Sequence, residues 1–372
     1  MPIPTTTREY RLLKPDGFHN LTLKEASVRT PRSTEVLVKV HAVSLQFRDI
    51  VVAKGQYPPA GQKDDLVPGS DMAGEILAVG AEVKEWAVGD RVCANLCVDH
   101  VVGEVTDAMR LTGLGAPIDG VLTEYRIFPA HCLVKIPDGW TYIEASTLPC
   151  AAVTAYNALF GLNSLKAGDT VLVLGTGGVS VFGLQIAVAS GATVIATSSS
   201  DSKLEVAKKL GAKHGINYKK TPDWEKEVLR ITGGRGVDHV IEVGGPGTIG
   251  KSIASTRYGG SVNVIGFVAS PFLLLLARAG DTSNLPGQIL SRGAVVRGIL
   301  TGSRKQYVPS SVALFPASPS SGLVPALPPA DMHATCSQSS TRFFAFEDLR
   351  AAYEYLESQQ HVGKVCVQVA EA

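Results

Sequence analysis

The chain has 372 residues, of which 45% are hydrophobic and 19% charged, and its formal net charge is +1. This length exceeds what one hydrophobic core usually serves, so two domains are expected, and the near-neutral charge excludes the basic footprint of a nucleic-acid or anionic-membrane binder. The densest apolar run, residues 272–277, is too short to span a bilayer, residues 1–10 lack the apolar core of a secretory signal, and the six cysteines show no disulfide-framework spacing. The sequence therefore indicates a reduced, soluble protein of the cytoplasm.

In residues 1–135 short β-rich runs alternate with Gly and Asp turns, and long segments with a helical period are few. Residues 36–40, 69–79 and 90–94 are predicted as strands. This part of the chain is therefore predicted to form a β-dominated domain.

After Tyr142 the pattern changes to alternating helices and strands. Residues 143–160 are Ala-rich and Leu-rich and predict a helix, and 169–174 form the continuous apolar run typical of a strand buried on both faces. Further helices are predicted at 179–190 and 202–210, and further strands at 192–197, 237–242 and 261–267. Such alternation indicates βαβ units and a parallel sheet.

The last part of the chain begins with an unusual segment. Residues 308–341 are rich in Ser and Pro, with Asp331 as the only Asp, Glu, Lys or Arg. They show no period of two or 3.6 residues, so loop or disorder is predicted. A helix at 347–359 and a strand at 363–369 are predicted to end the chain.

The strand at 169–174 is followed at once by a glycine-rich turn and then by a helix. The turn consists of Gly175, Thr176, Gly177, Gly178, Val179 and Ser180. Its first glycine permits a tight turn, its second allows the backbone to approach a pyrophosphate, and the helix N-terminus supplies N–H donors. A purely structural turn is the alternative, but the strand, helix and second strand around it favour dinucleotide binding.

The second strand ends in hydroxyl side chains where an NAD-selective site carries an acidic residue for the ribose. Ser198, Ser199 and Ser200 are followed by Asp201 and Lys203. A 2′-phosphate is attracted by hydroxyls and an ammonium and repelled by a carboxylate. NADPH is therefore predicted over NADH. Two alternatives stay open: Ser199, Ser200 and Ser202 cap the following helix, and Asp201 reaches the ribose.

Four further motifs resemble segments of the medium-chain dehydrogenase/reductase superfamily. They are residues 67–76 (VPGSDMAGEI), 88–92 (VGDRV), 148–156 (LPCAAVTAY) and 232–238 (TGGRGVD), in the expected order. The resemblance implies an α/β fold: a GroES-like β-barrel catalytic domain, 1–150, and a Rossmann NADP(H)-binding domain with a doubly wound parallel sheet, 151–303. It also implies that 304–372 return to the catalytic domain and that the protein is a homodimer.

Catalytic zinc in this superfamily is held by a Cys at the position of Gln46, by a His of the pair replaced here by Ser70 and Asp71, and by a Cys at the position of Cys150. One thiol and one carboxylate cannot supply the three protein ligands that catalytic zinc needs. The sequence therefore predicts no zinc at this site and resembles the zinc-independent, quinone-oxidoreductase-like branch.

A structural zinc site in this superfamily uses four closely spaced cysteines. Cys93 and Cys97, with His100 nearby, fall in the corresponding region and are one ligand short. Packing is the favoured role of these residues, so no structural zinc is predicted.

The resemblance also assigns cofactor contacts. Lys203 and Tyr218 match the residues that flank the 2′-phosphate, although Tyr218 could instead be a surface aromatic. Further contacts are expected from the helix under the nicotinamide and from strand ends at the ligand crevice, where simple strand termination is the alternative. These are Thr154, Gly244, Gly266, Phe267 and Val268.

Without a metal, alcohol oxidation lacks its usual Lewis acid, whereas hydride transfer to a quinone or an α,β-unsaturated carbonyl compound needs only orientation, a hydrogen bond and a proton. NADPH-dependent reduction of such a small molecule is therefore predicted. Gln46 and Arg48 are candidates to hold the substrate, Asp49 to orient Arg48, and Tyr57 to donate a proton. A local Arg48–Asp49 ion pair and a loop aromatic are the alternatives.

Residues 308–341 replace a helix and strand that relatives carry, either as a genuine surface insertion or as non-homologous sequence. The second is favoured because the amphipathic helix is missing rather than interrupted, and its loss would impair folding or activity. Two other functions remain open: a non-catalytic NADPH-binding protein and an alcohol dehydrogenase with a rebuilt metal site.

Overall fold

The computed structural model describes residues 3–57, 63–266, 284–307 and 341–371. They divide into two compact units. The first comprises 3–57, 63–153, 302–307 and 341–371, and the second comprises 154–266 and 284–301. Residues 308–340, which include nearly all of the Ser/Pro-rich segment, lie outside the described residues.

The first unit is dominated by strands, as the sequence predicted. Its strands are β1 (Thr6–Leu12), β2 (Leu21–Ser27), β3 (Glu35–Leu45), β4 (Asp71–Val79), β5 (Arg91–Ala94), β6 (Tyr125–Pro129), β7 (Leu133–Lys135), β14 (Thr341–Ala345) and β15 (Lys364–Gln368). Its helices are α1 (Phe47–Ala53), α2 (Asp107–Arg110), α3 (Tyr142–Ser146) and a last helix at Leu349–Glu357. Thr341, expected to end a loop, begins β14 instead.

The described part of this unit contains a seven-stranded sheet. Six of its strands follow the order β14-β15-β3-β4-β5-β7, and the seventh, β6, pairs with the N-terminal end of β3. The long strand β3 pairs antiparallel with both β4 and β15. Its register places Ser44 opposite Asp71 and Leu45 opposite Val365. Residues distant in sequence are thereby brought to one end of β3, where α1 begins.

The second unit contains a six-stranded parallel sheet. Its strands are β8 (Thr170–Leu174), β9 (Thr193–Ser198), β10 (His214–Asn217), β11 (Val237–Glu242), β12 (Thr256–Val264) and β13 (Val295–Gly298). The spatial order β10-β9-β8-β11-β12-β13 is that of a Rossmann sheet, which confirms the predicted fold class. Its helices are α4 (Val153–Phe160, which begins in the first unit), α5 (Gly178–Ala189), α6 (Asp201–Lys209), α7 (Trp224–Ile231), α8 (Ile249–Ser255) and Leu285–Arg292.

The continuous helix predicted at 143–160 is wrong. Helix α3 ends at Ser146, a single π-helical turn spans Leu148–Ala152, and α4 follows. Pro149 has no N–H to donate to a preceding carbonyl, which disfavours a regular helix at this point. The interruption matters because it presents the backbone N–H of Cys150 to a buried carboxylate, described below.

Each unit has its own apolar core. In the first unit the core surrounds β3 and includes Val36, Met72 and Phe128. In the second, Leu172, Ile195 and other strand residues pack with the helices. Among the described residues, no helix is long and apolar enough to cross a membrane.

Candidate cofactor and active sites

The glycine-rich turn connects β8 to the N-terminus of α5. Gly175 has φ +74°, a conformation that side chains disfavour, whereas the N-cap residue Gly177 has φ −78°. A Cβ at either position would meet no described atom within 4 Å, so the space in front of the turn is open. Thr176, Gly178 and Val179 complete a cradle at the start of α5, where backbone N–H groups have no partner within the helix. This geometry fits a pyrophosphate.

Ser180 contributes a side-chain hydrogen bond to the turn. Its buried hydroxyl donates a hydrogen bond of 2.6 Å to the carbonyl of Leu174, across the turn. The hydroxyl therefore fixes the turn from inside.

The end of β9 forms a polar edge beside the turn. Ser198 is buried, and its hydroxyl accepts a hydrogen bond from the backbone N–H of Ser200. The hydroxyls of Ser200 and Ser202 lie 2.7 Å apart. Ser200 is the N-cap residue of α6 without making a side-chain cap, so its hydroxyl does not act as the helix cap that sequence reasoning left open.

Charged and aromatic groups surround this edge. Tyr218 is exposed and hydrogen-bonds through its backbone N–H to the carbonyl of Ser198 at 3.0 Å. Lys203 is partly buried on the first turn of α6, and this burial lowers the pKa of its ammonium. Ser199, Lys203 and Tyr218 thus follow the ends of two adjacent strands, which is a suitable arrangement for a ribose phosphate.

Sequence reasoning missed Glu242, the last residue of β11. Its side chain is fully buried, and Oε1 accepts hydrogen bonds from the N–H groups of Gly244 (2.7 Å) and Gly245 (2.9 Å) and from the hydroxyl of Thr248 (2.6 Å). Ser252 donates to Oε2. Glu242 therefore fixes the turn after β11 through these hydrogen bonds. An acidic residue that ends an apolar strand just before Gly-Gly is the signal that could have revealed it.

Two of the strand-end glycines are required by packing. A Cβ at Gly244 would collide with Thr248, and one at Gly266 would collide with the carbonyl of Val243. Thr154 is buried at the start of α4. Phe267 and Val268, the remaining expected cofactor residues, lie outside the described residues.

In the first unit, the residues at the zinc-ligand positions form a hydrogen-bond network around Asp71. Its Oδ2 accepts from Nε2 of Gln46 (2.6 Å) and from the backbone N–H of Cys150 (2.9 Å), and its Oδ1 accepts from the hydroxyl of Ser70 (2.6 Å). Burial raises the pKa of Asp71 to about 6 and that of the Cys150 thiol to about 12.

These groups do not fit catalytic zinc. Catalytic zinc needs three protein ligands, and here a single thiol is accompanied by an amide, a hydroxyl and a carboxylate that already accepts from three donors. In the part of the chain that the structure describes, no group of three or more His, Cys, Asp or Glu side chains is placed to hold a metal ion. The residues in the region of the structural zinc site also have other partners: Cys93 Sγ donates to Ala145 O, and His100 Nε2 lies 2.9 Å from Gly103 O.

Sequence reasoning also missed Lys364, at the start of β15. It is only 5% exposed, and its ammonium donates a hydrogen bond of 2.6 Å to the carbonyl of Leu45. Burial raises the pKa values of Asp71 and Asp49, and the positive charge of Lys364 reduces this rise. A lysine within the apolar run of β15 was the available signal.

The guanidinium of Arg48 contacts other groups of the protein. It donates to the carbonyls of Leu114 (2.9 Å) and Ala116 (2.5 Å), and its Cζ lies 4.8 Å from the centre of the Tyr57 ring. Asp49 instead accepts from the backbone N–H of Gln46 at the start of α1, at 2.7 Å. Gln46 and Asp49 are thus linked to Asp71 by hydrogen bonds. Arg48 instead contacts Tyr57 and the 114–116 loop.

Comparison with known proteins agrees with this architecture. Residues 32–138 match the family described as the alcohol dehydrogenase GroES-like domain, and 178–315 match the zinc-binding dehydrogenase family. A zinc-type alcohol dehydrogenase-like protein of Schizosaccharomyces pombe is 45% identical over 359 residues, covering 95% of this chain and 96% of that protein. This chain belongs to the medium-chain dehydrogenase/reductase superfamily. It is an oxidoreductase of that superfamily, as the sequence predicted.

Two more distant members of the superfamily extend the comparison. The 2-haloacrylate reductase of a Burkholderia species is 28% identical over 95% of this chain and 96% of its own length. A crystal structure from Sinorhizobium meliloti, provisionally described as an alcohol dehydrogenase, is 33% identical with a TM-score of 0.84, covering 99% of this chain and all of that one. The described fold is therefore shared with that solved structure, and the sequence similarity extends to a protein named as a reductase.

Proposed function

We propose that this protein is a zinc-independent, NADPH-dependent reductase of quinones or α,β-unsaturated carbonyl compounds. The observation that carries the proposal is the network around Asp71, in which Gln46, Ser70 and Cys150 hydrogen-bond to a carboxylate at the positions where zinc would be bound. A site built in this way has no Lewis acid of its own for an alkoxide. It favours a reaction that needs only a hydride, a hydrogen bond and a proton.

The cradle after β8 would hold the pyrophosphate of NADPH. The N–H groups of Thr176, Gly177, Gly178 and Val179 would donate to the phosphates, whereas Gly175, whose N–H donates to the hydroxyl of Thr197, would supply the tight bend. Ser198, Ser199, Lys203 and Tyr218 would surround the 2′-phosphate, and the backbone of Gly244 and Gly266 at the strand ends would lie along the cofactor. When bound, the cofactor supplies the hydride.

The residues of the first unit would orient the substrate. Nε2 of Gln46 has two hydrogens, and Asp71 accepts only one of them. The second hydrogen is a suitable donor for a substrate carbonyl oxygen. Hydride addition to the β-carbon and proton addition to the α-carbon together reduce the double bond, while NADPH is oxidised to NADP⁺. Tyr57 is the proposed proton donor, since Arg48 is occupied by two backbone carbonyls.

The 2-haloacrylate reductase named above supports this substrate class. A haloacrylate is an activated alkene conjugated to a carboxylate, so its reduction is electronically similar to that of an enone.

The test is an NADPH-oxidation screen over quinones, enones and enals, with zinc measured by elemental analysis on protein purified without chelators. We expect turnover of at least one of these classes without stoichiometric zinc. Bound zinc together with alcohol oxidation would replace the proposal by an alcohol dehydrogenase. Tight NADPH binding without any turnover would indicate a non-catalytic binding protein.

We also propose a homodimer formed through the edge of the second unit's sheet. Among the described residues, strand β13 ends the order of that sheet, and Val296 on it and Leu300 just after it are exposed by 37% and 57%. An edge strand with exposed apolar side chains is suited to pairing with a second copy. Light scattering coupled to gel filtration should give twice the monomer mass.

A further inference from the structure

Asp201 is the residue at the polar edge that disagrees with an NADPH site. It is the first residue of α6, three positions after the end of β9. A carboxylate in this region normally accepts hydrogen bonds from the ribose of NADH and repels a 2′-phosphate. The preference for NADPH therefore requires that something restrains Asp201.

Both oxygens of Asp201 have a partner from the segment after β10. Oδ1 accepts a hydrogen bond of 2.7 Å from Nδ2 of Asn217, and Oδ2 accepts one of 2.5 Å from the ammonium of Lys220. These contacts lower the pKa of Asp201, first through the amide and then through the ammonium, so that the carboxylate is ionised at neutral pH. Its charge is compensated by Lys220.

The backbone holds both partners in place. Asn217 lies opposite Ser198 in the parallel pairing of β10 with β9. Its Oδ1 accepts from the backbone N–H of Lys219 at 3.1 Å, which directs Nδ2 towards Asp201. The N–H groups of Lys220 and Thr221 donate to the carbonyl of Asn217, closing the turn that returns the Lys220 side chain.

We propose that Asn217 and Lys220 are specificity-determining residues that act through Asp201. They hold its carboxylate against the 217–221 turn and neutralise it, so that the end of β9 accepts a 2′-phosphate. This inference rests on the proposed use of NADPH. Asn217 and Lys220 are positioning residues and need not touch the cofactor.

The test compares binding of 2′,5′-ADP, which carries the ribose phosphate, with binding of ADP by isothermal titration calorimetry. Wild type is compared with Asn217→Ala and Lys220→Ala, and each is combined with Asp201→Asn. The control is Lys219→Ala, which removes the same charge from the neighbouring position on the turn. Thermal denaturation of each variant verifies folding, and Kd is measured on folded protein only.

We expect Asn217→Ala and Lys220→Ala each to lower the preference for 2′,5′-ADP over ADP by about fivefold, the effect of an exposed charged contact of this kind. Asp201→Asn should restore the preference in both backgrounds, and Lys219→Ala should leave it within about twofold of wild type, as expected for screened surface charge. The variants should also bind NADH relatively better, measured by its fluorescence.

Three results would overturn the inference. The preference could stay at the wild-type value in both variants, it could fall equally in Lys219→Ala, or the loss could persist after Asp201→Asn, which would show that Lys220 contacts the phosphate directly. A wild-type protein that prefers ADP would instead refute the NADPH assignment. The two failures are distinguishable because one is measured on wild type and the other on the variants.

Discussion

Gln46 and Asp71 are joined by a hydrogen bond of 2.6 Å between Nε2 and Oδ2, within a buried network that also includes Ser70 and Cys150. Family members that bind zinc use these positions for metal ligands. Here the same positions hold a carboxylate whose pKa burial raises to about 6. The network therefore has a pH dependence that can be measured.

Replacing Asp71 with Asn should change how stability depends on pH. The pKa of Asp71 is raised from an ordinary value of 3.8 to about 6, so its contribution to stability is fully present below about pH 4 and is lost as pH rises through about 6. Asp71→Asn removes this titration. The free energy of unfolding of wild type should fall relative to that of the variant by up to about 3 kcal/mol between pH 4 and 7.

Urea unfolding of both proteins at intervals from pH 4 to 7 measures the difference. Asp64→Asn is a matched control, because it makes the same substitution at an exposed position outside the network. Parallel pH profiles for wild type and Asp71→Asn would contradict the prediction.

Glu242→Gln should destabilise the second unit and weaken cofactor binding. The amide oxygen can still accept from Gly244, Gly245 and Thr248, but the NH2 group would face the hydroxyl of Ser252, and the negative charge that strengthens all four bonds would be lost. We expect a loss of about 2–4 kcal/mol in the free energy of unfolding and a higher Kd for NADPH. Chemical denaturation and NADPH fluorescence measure the two effects, and Glu205→Gln, on an exposed ion pair, is the control.

Gly175→Ala and Gly177→Ala should distinguish two effects of an added methyl group, which are backbone strain and steric hindrance of the bound cofactor. Alanine at Gly175 must adopt φ +74°, at a cost of about 1–2 kcal/mol. Gly177 has φ −78° and open space around an added Cβ, so Gly177→Ala should leave the melting temperature nearly unchanged while its methyl group hinders the pyrophosphate. Differential scanning calorimetry and NADPH titration measure both. Wild-type NADPH affinity in a folded Gly177→Ala protein would remove that residue from the cofactor site.

Tyr57→Phe tests the proposed proton donor. The ring over Arg48 is retained, and only the hydroxyl is lost. Loss of a general acid should lower kcat by about 100-fold or more with a smaller effect on KM. Steady-state kinetics with the best substrate of the screen measures this. Arg48→Lys is the comparison, since loss of its two contacts to carbonyls should mainly lower stability. An unchanged kcat/KM in Tyr57→Phe would remove Tyr57 from the mechanism.

Local patterns in the sequence determined the parallel sheet, the glycine turn and the polar end of β9. Strand and helix periods, and the spacing of glycines between them, depend on neighbouring residues and are therefore visible in sequence. The same reasoning failed at residues 143–160, where Pro149 interrupts a favourable helix composition with a π-helical turn. It also missed Glu242 and Lys364, because a single charged residue in an apolar run gives no indication of its partners.

Only the tertiary structure decided which side chains meet. The pairing of β3 with β4 and β15 brings Asp71 and Lys364 to the end of β3, and the π-helical turn adds the N–H of Cys150. Strand register is a cooperative property of the whole sheet, since a shift by one residue would turn each side chain to the other face. The sequence alone determined that zinc ligands are missing at Gln46 and Ser70, whereas the fold decided that a hydrogen-bonded carboxylate occupies their place.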